Sequence, residues 1–135
     1  MKKFAKVMAV ALVAVLALTA LVACGPASKP DKAVKALEDK KYGVVAVIGS
    51  ESSAKQLILD GIAKLAGLEE GDIIATIEAT SGNESIMITY FKNASVASKY
   101  WKENKDKVEK KEGWVTKQSG AMVYSGTEQA VKDAH

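Results

Sequence analysis

Residues 72–92 read DIIATIEATSGNESIMITYFK, and their alternation decides the fold class. Ile73, Ala75, Ile77 and Ala79 fall on one side of an extended chain, with Thr76, Glu78 and Thr80 on the other. Ser81-Gly82-Asn83 is turn chemistry, because Gly and Asn tolerate the positive φ of a tight hairpin. Glu84–Lys92 then returns, with Ile86, Ile88 and Tyr90 opposite in phase to Met87, Thr89 and Phe91. Two half-buried strands joined this way pair antiparallel and give the sheet an apolar face.

The flanking segments supply helices and further strands. Upstream, Ser50–Leu68 predicts a helix. Ala54, Leu57, Ile58, Gly61, Ile62 and Leu65 recur at i, i+3, i+4 and i+7, so this stripe is expected to face the core. Ser50, Ser52 or Ser53 can cap it, Gly67 ends it, and Glu69-Glu70-Gly71 makes a turn. Before it, Gly43–Ile48 is a β-branched apolar run between glycines, which predicts a strand covered on both faces. Asp31–Lys41, behind Pro30, suits a short amphipathic helix.

Downstream, residues 94–112 predict a longer helix, capped by Asn93 or Ser95 and stopped by Gly113. Val96, Ala97, Tyr100, Trp101 and Val108 form its buried stripe. Trp114–Gln118 and Ala121–Tyr124 read as a hairpin around Ser119-Gly120. A terminal helix follows, with Ser125 and Glu128 spaced as a capping box.

From Gly43 to Tyr124 this succession resembles the ferredoxin-like βαββαβ arrangement, with an added strand and terminal helices. The resemblance implies an α+β fold: an antiparallel sheet with helices on one face, both crossover helices sharing it. The expected domain spans residues 32–135.

The first residues read as an address. Lys2, Lys3 and Lys6 precede an uncharged apolar run from Val7 to Ala23, the layout of an export signal. The run closes on Leu21-Val22-Ala23-Cys24-Gly25, which resembles the lipobox of bacterial lipoproteins. The resemblance implies that residues 1–23 are removed and that Cys24 receives a diacylglyceryl thioether. The acylated protein would sit on the extracytoplasmic side of the cell membrane, held stably because more than one acyl chain anchors it. Residues 24–31, with two prolines, a Gly and a Ser, read as a tether.

Composition narrows the activity. Removing Lys2, Lys3 and Lys6 from the 19 basic residues leaves 16 against 16 acidic ones, so nucleic acid is not an expected partner. One Cys and one His exclude an internal disulfide and a Cys/His zinc site. Cys24 is consumed by the lipid and His135 is the last residue, so no positioned imidazole serves a catalytic triad. Glu78 and Glu84 flank the hairpin turn and could pair as carboxylates, but solvent-facing hairpin ends explain the same residues and are the preferred reading. Gly49-Ser50-Glu51-Ser52-Ser53 joins a strand to a helix start, where an anion could bind. It lacks the phosphate-loop pattern, and serines there serve as caps. Lys99, Lys102 and Lys105 are interleaved with Glu103, Asp106 and Glu109 at i, i+4 spacing, as on a solvated helix face.

The expectation is therefore a lipid-anchored, non-catalytic interaction or assembly module without cofactor or metal, meeting a protein partner or forming a homo-oligomer. The alternative is a small-ligand or ion-binding accessory of a transporter. The candidate interaction face is Thr76, Glu78, Met87, Thr89 and Phe91, on the sheet face expected to lack a helix cover.

Overall fold

The computed structural model of the chain describes residues 25–106 and 112–135. The expected export signal, Cys24, Val108 and the Lys105–Glu109 pair lie outside the described residues. The elements run α1 (Pro30–Asp39), β1 (Gly43–Ile48), a 3₁₀ turn (Gly49–Glu51), α2 (Ser53–Leu65), β2 (Ile73–Ser81), β3 (Glu84–Phe91), α3 (Ala94–Asn104), β4 (Trp114–Ser119), β5 (Met122–Thr127) and α4 (Glu128–Asp133). The fold is α+β, and its central βαββαβ succession is the ferredoxin-like one with a strand added between terminal helices.

The five strands lie in the order β1-β2-β3-β5-β4, every neighbour antiparallel. The β2–β3 hairpin pairs Ser81 with Glu84 across Gly82-Asn83, and β4–β5 pairs Ser119 with Met122 across Gly120-Ala121. Gly82 and Gly120 take φ of 58° and 57°, which a side chain would resist.

The pleat separates two cores. On one face Ala75, Ile77 and Ala79 of β2, Ile86, Ile88 and Tyr90 of β3, and Met122 and Tyr124 of β5 are buried beneath Ala33 and Leu37 of α1 and Ala130 and Val131 of α4. Pro30 opens α1, where its missing N–H costs nothing, and Asp31 complements the helix dipole. Tyr42 donates to Asp133 Oδ2 at 2.8 Å and ties the end of α1 to α4.

On the other face the crossover helices share one cluster, as expected of this arrangement. Leu59 and Ala63 of α2 and Ala97 of α3 pack on Ile73, Phe91 and Val123. Phe91 meets the Tyr100 ring at a centroid distance of 5.2 Å. Asn93 caps α3 by accepting from Val96 N–H at 2.9 Å.

Five expectations are corrected. β1 is an edge strand, so Val45 is 69% exposed where cover on both faces was expected. Ile73 leaves the row of Ala75, Ile77 and Ala79. The register shifts between Ile73 and Ala75, which places Ile73 opposite Phe91 in the second cluster. The Ser125–Glu128 capping box does not form, because β5 runs on through Thr127 and Ser125 exchanges a 2.8 Å hydroxyl bond with Thr116.

The fourth correction concerns the chain ends. The stretch read as a tether is docked at its start: Gly25 and Pro26 are buried. Ala27 N–H donates to Ala134 O at 2.9 Å, Tyr90 Oη donates to Ala27 O at 2.6 Å, and His135 Nδ1 lies 3.1 Å from Gly25 O. The fifth concerns α2, whose predicted core stripe faces outward. Leu65 is 92% exposed, Leu57 71% and Ile58 55%, whereas Leu59 and Ala63 are the buried pair.

Candidate functional site

The register arranges the crossover face in rows across the sheet. Val45, Glu78, Met87, Ser125 and Thr116 make one row, and Val47, Thr76, Thr89, Val123 and Gln118 the next. Beyond the second row lie Ile73 and Phe91 under the crossover helices. The helices thus reach only one end of this face. In the outer row Met87 stays 50% exposed and Glu78 is exposed between Met87 and Val45. Of the five residues predicted to share an interaction face, Thr76, Glu78, Met87 and Thr89 lie together near the open end. Phe91 points to the same side but is buried against Tyr100.

The face expected to be bare was the one opposite the crossover helices. The terminal helices fill that face, and the uncovered surface is the part of the crossover face that α2 and α3 do not span. Val45 belongs to this surface. Its place in a β-branched run suggested burial, and the edge position of β1 that exposes it is a matter of strand order.

Glu78 and Glu84 are not brought together. Glu78 pairs with Met87 on the crossover face, while Glu84 pairs with Ser81 on the opposite one and takes the Thr127 hydroxyl as a hydrogen-bond donor. Among the described residues no group of three or more His, Cys, Asp or Glu is placed to hold a metal ion.

A cleft of about 820 Å³ lies where α1 begins, between Pro30, Asp31 and Val34 on one side and Ile48–Glu51, Gln56 and Ile74 on the other. Two of its polar side chains, Gln56 and Glu51, are committed to the fold. Gln56 Nε2 donates to Asp60 Oδ1 at 2.9 Å and to Ile73 O at 3.1 Å. Glu51 pairs with Lys55 at 3.2 Å, and Ser52 caps α2 by accepting from Lys55 N–H at 3.1 Å. Within Gly49–Ser53, Ser52 is the residue that caps α2. A Cβ at Gly49 would stand 1.9 Å from Gln56 Oε1, so a side chain there would displace the Gln56 amide.

The same end of the sheet carries two carboxylates held below their ordinary range. Asp60 is lowered by the Gln56 amide and the Gly71 N–H, which donates at 2.8 Å. Asp72 is lowered by the Glu69 N–H at 2.9 Å and the Lys92 ammonium at 3.0 Å. Burial pushes the Tyr90 phenol upward, with the Asp31 charge adding to it. The two carboxylate shifts follow from bonds that fasten α2 and its exit loop to β2 and β3.

The exposed stripe of α2 is the second apolar surface. Ala54, Leu57, Ile58, Gly61, Ile62 and Leu65 cover its outer side, and Ile74 of β2 is 38% exposed beside the cleft. Among the described residues no helix is long and apolar enough to cross a membrane. Compared with known families, curated proteins and solved structures, the chain gives no match.

Proposed function

We propose that the protein is a lipid-anchored extracytoplasmic lipoprotein that acts as a non-catalytic interaction module, meeting a protein partner or a second copy through the open part of its sheet. One observation carries this reading. Val45 and Met87 flank Glu78 in a single cross-strand row that the crossover helices leave uncovered. Apolar side chains around one charge, on a rigid sheet, suit a surface with a preferred partner and register. The lipobox resemblance at Leu21–Cys24 supports the anchor, and the balanced charge of the chain beyond Lys6 suits a protein surface better than a polyanion.

The cleft at the start of α1 favours the small-ligand alternative less. A binding pocket needs polar groups converging on a guest, and here Gln56 and Glu51 are spent on neighbours in the fold.

Two measurements in the producing cell test the reading. A photo-crosslinking residue at Met87 is expected to give a discrete adduct that Val45→Lys abolishes, whereas the same residue at Lys35 on α1 gives none. Cys24→Ala is expected to release the protein from the membrane fraction. Absence of an adduct at Met87 removes the interaction face, and unchanged fractionation of Cys24→Ala removes the anchor.

A further inference from the structure

The outward stripe of α2 calls for an occupant. Helical residues advance about 100° each, since about 3.6 of them make a turn. On that projection Leu57, Gly61, Ala54, Leu65, Ile58 and Ile62 form one continuous band. Lys55 and Lys64 fall on its two edges, and Leu59 and Ala63 lie on the opposite, buried side. An apolar band bordered by lysines is the pattern of a helix that lies in a membrane interface, where lysine stems run along apolar surface while the ammonium groups stay in water. Each lysine here has a glutamate beside it, Glu51 for Lys55 and Glu70 at 2.7 Å for Lys64. The rim is close to neutral, so burial of the leucines and isoleucines drives the contact.

The start of the described chain selects the membrane over other occupants. Gly25 and Pro26 are buried, and Ala27 is bonded to Tyr90, one residue from the Phe91 that faces Ile73. Ile73 O is held by Gln56 of α2. Pro30, Asp31 and Val34 line the same cleft as Gln56. The chain therefore arrives, on the terminal-helix face, at the same end of the sheet that α2 crosses on the other face, with no free tether between Gly25 and the folded domain. A lipid on Cys24 brings that end to the bilayer surface.

We infer that the Leu57-Ile58-Ile62-Leu65 face of α2 rests in the headgroup–acyl boundary of the bilayer that carries the Cys24 lipid. This fixes the orientation of the domain on the bilayer. The inference rests on the lipoprotein reading, and its test separates the two.

The test uses the full acylated chain in phosphatidylcholine vesicles, with Leu65→Cys or Met87→Cys labelled by an environment-sensitive nitrobenzoxadiazole. The natural sequence has one cysteine, which the thioether caps, so the label goes to the engineered thiol. Nitroxide-bearing lipids are expected to quench the label at position 65 severalfold more than at position 87. Replacing part of the phosphatidylcholine by phosphatidylglycerol should change this little. The intact mass reports the acyl chains independently.

Acylated protein with equal, weak quenching at both positions overturns the inference and leaves the anchor standing. A blue-shifted label at 65 that nitroxide lipids do not quench also overturns it, since protein then covers the stripe. A mass without acyl chains removes the lipoprotein reading. Quenching at 65 in that material, repeated with Cys24→Ser so that the engineered thiol alone carries the label, still upholds the membrane contact, and its absence removes both.

Discussion

Helices α1 and α2 carry the same kind of amphipathic pattern and settle in opposite senses. In α1 the apolar positions turn inward, Ala33 and Leu37 are fully buried, and the lysines face water. In α2 part of the inward side is polar. Gln56 and Asp60 clasp Ile73 O and Gly71 N–H, only Leu59 and Ala63 are buried, and the longer apolar band faces out. Periodicity says which side of a helix avoids water. It does not say whether the domain's own core supplies the shelter, and α2 shows the two can separate.

Leu37→Ala breaks the comparison most forcefully. Leu37 is fully buried in the cluster that holds Ala75, Ile77 and Ala79, and a buried leucine truncated to alanine costs about 2–5 kcal/mol. Urea denaturation of the variant should show a midpoint lowered accordingly, with the slope unchanged. A loss below about 1 kcal/mol, the size of an ordinary mutational effect, would place α1 among the loosely held elements and erase its contrast with α2.

The second prediction concerns the polar fastening of α2. Asp72 accepts from Glu69 N–H and pairs with Lys92, joining the α2 exit loop to the end of β3. Removing the buried carboxylate gives up both bonds, one of them to a charged group, and Asp72→Ala is expected to cost about 1–3 kcal/mol. The pH dependence has a definite sign. Asp72 and Asp60 are held below their ordinary value of 3.8, so the folded state favours the charged forms. Their stabilisation is complete above that value and is lost as the pH falls toward the lower folded-state values. Thermal unfolding followed from neutral to acid pH should show Tm dropping in the acid range, less steeply in Asp72→Asn. An equal slope in that variant would assign the acid sensitivity elsewhere.

Much of the fold was legible because its cues are local. The turn at Gly82-Asn83, the alternation on either side of it, the Ser52 and Asn93 caps and the Gly67 stop each depend on a few neighbouring residues. Burial was less legible wherever it depended on strand order or on distant chain. Val45 is bare because β1 is an edge, Phe91 is covered because α3 folds back over it, and Gly25 is docked by Ala134 and His135 from the other end of the sequence. For the interaction face, the phase of residues 76, 78, 87 and 89 was readable, since a strand fixes it. The reach of the crossover helices over that face was not readable from phase.

The smallest expected effect discriminates best between the two helices. Leu65→Glu places a charge in the middle of what the pattern alone reads as a core stripe. Were that stripe buried, an unpaired carboxylate there would unfold the domain or shift its own ionisation strongly. Leu65 is instead 92% exposed, so the glutamate stays hydrated and the fold loses almost no apolar contact. Surface changes away from special features lie within about 0.5 kcal/mol, and that is the range expected for Leu65→Glu by urea denaturation. A large loss would mean that α2 turns its stripe inward in solution, and the contrast with α1 would vanish. A near-zero change together with weaker membrane contact would show that the leucine was kept for a surface outside the domain's own core.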